Sequence, residues 1–119
     1  METICKLKGI YKALYNLEKE FSDSNGITIN EGMILCCLKD GKQRSANELY
    51  DFVGLSNSRV SRVINTVEKK GYITRKMGVN DKRQMFFRLT PTGKEKVEQM
   101  LKNKICIDEL TSQFSSLVR

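Results

Sequence analysis

A segment from Ser56 to Lys69 carries serine, arginine and asparagine at helical spacing, and these residue types hydrogen-bond to bases and phosphates. If its valines and isoleucine face a core, the 100° step per residue turns the polar side chains to the opposite face. Arg62 can donate to two acceptors on a guanine edge, and Asn65 can pair its amide with adenine. We therefore predict a helix that enters the major groove of DNA. The predicted contacts are Ser56, Asn57, Ser58, Arg59, Ser61, Arg62 and Asn65.

The start of this helix is free of acidic residues, since Glu68 is the first acid in the segment. Its unpaired N–H groups and dipole therefore leave positive potential for a phosphate. Residues 41–90 hold 11 Lys and Arg against 4 Asp and Glu, whereas the remainder holds 10 basic and 10 acidic residues. A solvated polar face is the alternative interpretation of the helix alone. The localised charge favours a polyanion as the binding partner, because such a patch attracts a polyanion by counterion release.

Two short β-strands are predicted after the helix, at residues 72–77 and 84–89, because apolar and polar residues alternate there. This hairpin carries five Lys and Arg but only one acid, Asp81, so its like charges repel unless phosphates or a narrow minor groove neutralise them. We expect Lys82 and Arg83 to enter the minor groove. The predicted phosphate contacts are Lys69, Arg75 and Lys76.

Asp81 admits two interpretations. Because it lies two positions before Arg83, its carboxylate can hold an arginine, either Arg75 or Arg83, in the posture that inserts into the groove. Alternatively, it is a turn aspartate that accepts a hydrogen bond from the backbone of its own loop.

Helical signals lie on both sides of this region. Apolar residues recur at three- and four-residue steps over residues 4–21, and again over residues 97–117 with a break near residue 108. Capping boxes of the form S/T-x-x-E, at residues 28–31 and 45–48, start two short helices between them.

The predicted fold is mainly α with a small β-hairpin wing. It is a winged helix-turn-helix with N- and C-terminal dimerisation helices. We expect a single domain over residues 1–119, with a DNA-binding core at residues 28–93 and dimerisation helices at residues 1–23 and 94–119.

Apolar stripes on the two terminal segments are wider than a monomer of this size can bury, and exposed patches beyond roughly a few hundred Å² usually mark a partner. We therefore expect a homodimer. The alternative is a monomer whose terminal helices fold back on its own core. The predicted dimerisation residues are Ile4, Leu7, Leu14, Ile107, Leu110, Phe114 and Leu117.

The chain has no histidine, which removes most zinc sites and every histidine-based catalytic triad. Among its four cysteines, Cys36 and Cys37 are adjacent and point about 100° apart on a helix, so they do not converge on one ion. The sequence contains no glycine-rich phosphate loop and no H-E-x-x-H motif. We expect no metal, no cofactor and no enzymatic activity.

No apolar run approaches the roughly 18 residues that a membrane-spanning helix needs. The first six residues lack the basic start and long apolar stretch of a signal peptide. A cytoplasmic location without a membrane partner is therefore expected.

The cysteines suggest a route to regulation. Cys5 lies near two lysines, whose positive charge favours thiol reactivity, and it would approach Cys106 if the terminal helices interlock. These two are the candidate redox thiols. At least one of Cys36 and Cys37 is expected to be a small buried hydrophobe, which is the commonest role of a free cysteine.

Four motifs resemble the MarR family of bacterial winged-helix regulators. They are L-S-N-S-R-V-S-R at residues 55–62, E-K-K-G-Y-I-T-R at residues 68–75, D-K-R at residues 81–83 and L-T-P-T-G at residues 89–93. A D-x-R wing followed by L-T-x-x-G is fairly specific when it comes after such a helix. The likeness spans about residues 28–93.

The resemblance implies a homodimer with interlocked terminal helices on a pseudo-palindromic operator, with recognition helices in successive major grooves and wing arginines in flanking minor grooves. By the same resemblance, Arg83 is the wing-tip arginine, Asp81 is its supporting acid, and residues 56–62 are the leading end of the recognition helix. The region after Gly93 is short for the family, which bears on the size of the dimer interface.

We predict a dimeric, sequence-specific transcriptional regulator, and more specifically a repressor, because occlusion of a promoter requires no further contact. Some members of the family sense oxidants or phenolic compounds, so a small-molecule effector and thiol oxidation are two alternative routes of release. The competing interpretation is a winged helix whose basic face docks on an acidic protein. The logarithm of the affinity for DNA falls linearly with the logarithm of salt concentration, and that dependence separates the two.

Overall fold

The computed structural model describes residues 2–103, 105 and 107–118. Within them the chain forms six helices and one three-stranded antiparallel sheet. The helices are α1 (Glu2–Asn25), α2 (Ile29–Cys37), α3 (Ala46–Val53), α4 (Asn57–Lys69), α5 (Pro91–Lys102) and α6 (Asp108–Val118), and the strands are β1 (Arg44–Ser45), β2 (Ile73–Met77) and β3 (Met85–Leu89). The predicted fold class, mainly α with a small β-wing, is confirmed.

The chain divides into two compact units. We call residues 29–102 the winged-helix unit, and the part that contains α1 and α6 the terminal unit. Residues 94–119 were predicted as dimerisation helices. Within this range, α5 belongs to the winged-helix unit, where Val97 is buried and α5 packs against α2 and β3.

The core of the winged-helix unit lies between α2, α3, α4 and one face of the sheet. Ile34, Leu35 and Leu38 of the α2 region are fully buried, as are Leu49 of α3 and Val60 of α4. Burying each such side chain contributes about 1.5–3 kcal/mol, so α4 is fixed mainly by its apolar face. The sheet completes this core with Ile73, Phe87 and Leu89.

The helix-turn-helix consists of α3, a glycine turn and α4. Ser45 begins α3 with a complete capping box. Its hydroxyl accepts a hydrogen bond from the backbone N–H of Glu48, and the Glu48 carboxylate accepts one from the backbone N–H of Ser45. Gly54 ends α3 in the left-handed conformation, at φ 76°, and donates its N–H to the carbonyl of Tyr50. Ser56 then caps α4.

The sheet has the strand order β1-β3-β2, and β1 was not predicted. Its two residues, Arg44 and Ser45, pair with Phe87 and Phe86 of β3. A two-residue strand has no periodic signal, and Ser45 is more readily recognised as a helix cap. The hairpin strands β2 and β3 agree with prediction to within one residue at their starts.

A hydrogen-bonded junction joins α4, the foot of the hairpin and α5. Gly71 leaves α4 at φ 82°, and the hydroxyl of Thr90 donates to its carbonyl over 2.6 Å. Thr90 also caps α5 by accepting from the N–H of Gly93 at 2.9 Å. A Cβ on Gly93 would overlap the carbonyl of Tyr72, so glycine is required here by close packing of two backbones.

In the terminal unit, α1 packs against α6. Asn103 donates hydrogen bonds to the carbonyl of Ser24 and to the side chain of the buried Asn25. These bonds connect the segment before α6 to the end of α1. Residues 103, 105 and 107, which lie between α5 and α6, are not helical, in agreement with the predicted break near residue 108. None of the helices in the described residues is both long and apolar enough to cross a membrane.

Several large apolar side chains of the terminal unit are exposed. Among the predicted dimerisation residues, Leu7, Leu110 and Leu117 are half-buried. The exposed members are Ile4, Leu14, Ile107 and Phe114. Tyr11 and Tyr15 of α1 are also exposed, and they are not among the predicted dimerisation residues.

Candidate nucleic-acid interface

The polar face of α4 is exposed along its length. Val60, Ile64 and Val67 are buried on the opposite side, as their spacing predicts. Ser56 accepts the N–H of Arg59 at 3.4 Å, and the first turn of α4 contains no acid. The exposed residues of the predicted site on this helix are Asn57, Ser58, Arg59, Arg62, Asn65 and Lys69.

Ser61 differs from the other predicted major-groove residues. It is half-buried, and its hydroxyl is hydrogen-bonded to the hydroxyl of Tyr50 at 2.9 Å. This bond ties α4 to α3 and fixes the angle between the two helices of the motif. The apolar period of α4 identified the buried face but gave no signal for a tyrosine partner eleven residues earlier.

Arg75, a predicted phosphate contact, is bonded within the protein. Its Nη2 donates to Oδ1 of Asn65 at 3.0 Å, and its Nη2 and Nε donate to the two carboxylate oxygens of Glu68 at 3.1 and 3.3 Å. Its guanidinium carbon also lies 5.2 Å from the ring centre of Phe87, which is its direct partner across the sheet. The foot of the wing is therefore tied to the exposed face of α4.

The tip of the wing presents its basic residues to solvent. Gly78 donates to the carbonyl of Gln84 at 2.8 Å, and Gln84 donates back to the carbonyl of Asp81 at 3.0 Å, which closes the loop. The Asp81 carboxylate accepts from the backbone N–H of Arg83 at 2.9 Å and from its Nε at 3.4 Å. Asp81 therefore acts as a turn aspartate, and its carboxylate also contacts the side chain of Arg83. Its role in directing an arginine into a groove stays a prediction. Lys82 is exposed beside Arg83.

A second tie to α4 was not predicted. Glu31 of α2 is only 4% exposed and accepts from Nζ of Lys70 at 2.7 Å, at the carboxyl end of α4. Glu31 was expected as the second member of a capping box. An acid in a helix turn does not reveal a partner 39 residues away.

A cavity of about 580 Å³ lies at the end of α2 and beside α3. Three of its charged groups pair with one another, because Arg44 contacts Asp40 at 2.7 Å and Glu48 at 3.5 Å. A hydrogen bond from the Lys42 backbone and the nearby Arg44 lower the pKa of Asp40. The remaining lining residues are Cys36, Cys37, Lys39, Asp51 and Phe52.

The cysteines are free thiols where they are described. Burial raises the pKa of the Cys37 thiol, which makes its thiolate scarce at neutral pH. Cys36 is half-buried and Cys5 is exposed. Cys106, the predicted redox partner of Cys5, lies outside the described residues. Among the described residues, no group of histidine, cysteine and acidic side chains could hold a metal ion.

The helix-turn-helix has a buried apolar side, and the basic face of α4 is exposed. Together with an antiparallel wing that carries an arginine at its tip, these features define the winged helix-turn-helix class of DNA-binding folds. Residues 27–85 match the model of the MarR family, and the chain belongs to that family.

One curated relative and two solved structures are similar to this chain. The chain is 26% identical over 95 residues to YhjH of Bacillus subtilis, an uncharacterized HTH-type transcriptional regulator, and the match covers 76% of the chain and 54% of the relative. A MepR-like protein complexed with pseudoligands superposes with a TM-score of 0.77 at 22% identity, over 97% of this chain and 82% of that one. A mutant MarR from E. coli complexed with operator DNA superposes with a TM-score of 0.76 at 19% identity, over 98% and 81%. These structures confirm the fold.

The chain spans about half the length of the curated relative that it matches. The name of that relative and the family are those of transcription regulators and not of enzymes, in agreement with the prediction that this chain is not an enzyme.

Proposed function

We propose that the chain is a sequence-specific transcriptional regulator that binds a pseudo-palindromic operator as a homodimer and represses transcription by occluding a promoter. The observation that carries this proposal is the exposed face of α4, whose polar side chains project from a helix that is buried along its other side. An α-helix of about 10–12 Å diameter fits a major groove about 12 Å wide.

In this proposal the predicted residues divide by role. Arg62 and Asn65 contact base edges, and the serines at the start of α4 permit close approach to the duplex. Lys69 and Lys76 contact phosphates, which fix the position of the protein without reading sequence. Arg83, held by Asp81, enters the flanking minor groove with Lys82 beside it.

Operator binding is supported by the solved complex of the E. coli MarR variant with its operator DNA, since this chain shares that fold over almost its whole length. Repression is the simplest outcome of such binding, because it requires no second contact with the transcription machinery. A cytoplasmic location follows from a DNA target in a bacterial cell.

Homodimerisation is supported by the terminal unit. Ile4 and Tyr11 of α1, together with Ile107 and Phe114 of α6, leave apolar surface exposed in the single chain. A two-fold dimer would present two copies of α4 to half-sites about 34 Å apart along the duplex. Sedimentation of the free protein at micromolar concentration should give twice the mass of the chain, and a clean monomer would remove this part of the proposal.

Release from the operator is proposed to occur through a small-molecule effector or through thiol oxidation. The cavity beside α3 is a candidate effector site, because α3 supports α4 through Tyr50 and Ser61. Cys5 and Cys106 are the candidate redox thiols. Peroxide should weaken operator binding by the parent but not by Cys5→Ser, and unchanged affinity of the parent after peroxide would eliminate the thiol route.

The proposed function is tested by selection of bound duplexes from a random pool, followed by affinity measurements from low to high salt. We expect a site with two related halves and a logarithmic affinity that falls linearly with the logarithm of salt concentration. Arg62→Ala should cost about 1–3 kcal/mol at one position of each half-site. Lys94→Ala, which removes an exposed charge from α5 outside the predicted site, is the matched control. Binding without sequence preference would contradict the proposal.

A further inference from the structure

The contact between Asn65 and Arg75 fixes which end of an exposed amide faces outward. Nη2 of Arg75 lies 3.0 Å from Oδ1 of Asn65. A guanidinium has only donors, so the amide atom that faces it must be the oxygen. The Nδ2 amino group of Asn65 is therefore directed away from Arg75.

Arg75 cannot easily release this oxygen, because its own position is held on several sides. Two nitrogens of its guanidinium bond the two carboxylate oxygens of Glu68, which lies on the same helix as Asn65. The guanidinium also stacks over Phe87, opposite Arg75 in the sheet. A planar guanidinium that donates two hydrogen bonds to one carboxylate and lies over an aromatic ring has one preferred orientation.

We propose that Asn65 reads a hydrogen-bond acceptor on a base through its Nδ2 amino group, and that Arg75 is the positioning residue that sets this reading. Suitable acceptors in the major groove are N7 and O6 of guanine, N7 of adenine and O4 of thymine. The two-bond contact with adenine predicted from sequence would require Oδ1 to accept from the base with its second lone pair while Arg75 holds the first, and we propose that Nδ2 alone contacts the base instead. The role of Arg75 as a phosphate contact is replaced as well. This inference rests on the proposed function.

The first test locates the base pair that Asn65 reads and then removes its groups one at a time. Asn65→Ala should relax the preference at a single position of each half-site, which identifies that pair. Duplexes with a 7-deazapurine there lack the N7 acceptor, duplexes with a pyrimidinone lacking O4 lack the acceptor of thymine, and duplexes with purine in place of adenine lack the N6 donor.

We expect removal of the contacted acceptor to weaken binding by the parent protein roughly 5-fold or more, and removal of the N6 donor to change it less than about 2-fold. An equal loss on removal of the N6 donor would show that Asn65 makes the two-bond adenine contact, and would overturn the inference.

The second test separates positioning from phosphate contact. Arg75→Met should change the base preference at the Asn65 position and leave the salt slope unchanged, because no phosphate contact is lost. Lys76→Met, at the adjacent exposed cation of β2, is the matched control and should reduce the salt slope by about 1 without changing base preference. A reduced slope with unchanged preference for Arg75→Met would overturn the inference.

Separate controls distinguish a failure to fold from a failure of the proposed function. If Arg75→Met does not fold, Glu68→Gln weakens the hold on Arg75 without removing it, and a shift of preference at the same position is expected, whereas unchanged preference in this variant overturns the inference. A parent protein that binds duplexes without sequence preference would defeat the proposed function together with this inference. Specific binding that depends on the N6 donor would defeat the inference alone.

Discussion

The foot and the tip of the wing each carry an arginine, and the two arginines differ in exposure and in the partners that hold them. The side chain of Arg75, at the foot, is 37% exposed and is held by Asn65, Glu68 and Phe87. The side chain of Arg83, at the tip, is 93% exposed, and its one partner among the described residues is Asp81. Positive charge in a hairpin therefore does not by itself identify a contact with DNA. The partners of each arginine determine its role.

This difference has an energetic basis. An exposed ion pair contributes about 0–1 kcal/mol, so the contact with Asp81 orients Arg83 without competing strongly with a phosphate or a base. Hydrogen bonds to charged groups contribute about 1.5–3 kcal/mol when they are shielded from water. Arg75 is partly exposed, so its bonds contribute less than that, but together they connect β2 to α4.

The largest expected effect tests whether the foot of the wing is rigid. Gly93→Ala should lower the free energy of unfolding by about 1–3 kcal/mol or more, because the added Cβ overlaps the carbonyl of Tyr72 at this junction. Urea denaturation measures the change. Lys94→Ala, at the neighbouring exposed position, should stay within about 0.5 kcal/mol of the parent. Equal stability of both variants would show that the junction adjusts freely.

The next effect separates the two arginines directly. Arg83→Ala should weaken operator binding roughly 5- to 150-fold while the free energy of unfolding stays within about 0.5 kcal/mol. Arg75→Ala should lower the free energy of unfolding by about 1 kcal/mol, since it loses its bonds to α4. Denaturant midpoints and fluorescence anisotropy on a labelled duplex give the two quantities. If Arg83→Ala destabilised the protein as much as Arg75→Ala, the contrast between foot and tip would be wrong.

A smaller effect has an informative sign. Asp81→Ala removes a negative charge near the proposed DNA surface, so simple electrostatics predicts tighter binding. We expect binding to weaken by about 2- to 5-fold instead, because Arg83 loses the carboxylate that orients its backbone and side chain. Asp51→Ala, an exposed acid on α3, is the control for the loss of charge alone. Tighter binding by Asp81→Ala would remove the supporting role of this residue.

The smallest expected effect concerns pH and the start of α3. A hydrogen bond from the Ser45 backbone, together with nearby Arg44, holds the pKa of Glu48 below its ordinary value. Its contribution to stability is therefore fully present above the ordinary glutamate pKa of about 4.3, and it is lost as the pH falls through the lower pKa of the folded state. Denaturant midpoints of Glu48→Gln and the parent should converge as the pH falls into that range. A constant difference between them would show that the charge of Glu48 has no role.

The elements that position the site were largely predictable from sequence, because local chemistry sets them. Ser45, Ser56 and Thr90 start helices where a side-chain oxygen can cap free N–H groups, and the structure confirms each cap. Gly71 ends α4 in the left-handed conformation, and the alternation in β3 places Phe87 and Leu89 in the core. These signals extend over four to eight residues, so they can be recognised in the sequence without knowledge of the fold.

The partners within the candidate site were not predictable for the opposite reason. Arg75 meets Asn65 only because a turn and a strand bring them together, and the sequence offered Asp81 equally as its acid. Tyr50 meets Ser61 across the helix-turn-helix, and Gly93 meets Tyr72 across the junction at the foot of the wing. Each of these contacts depends on tertiary packing, which a period or a cap does not encode.

Methylation interference on the selected duplex tests the central claim most directly, because dimethyl sulfate marks N7 of guanine in the major groove and N3 of adenine in the minor groove. We predict that N7 methylation blocks binding within each half-site, that N3 methylation blocks it at the flanks, and that Arg83→Ala removes only the flanking N3 effect. If N7 or N3 methylation did not interfere with binding by the parent protein, the assignment of α4 and the wing tip to the DNA surface would be contradicted. A flanking N3 effect that persisted in Arg83→Ala would contradict it as well.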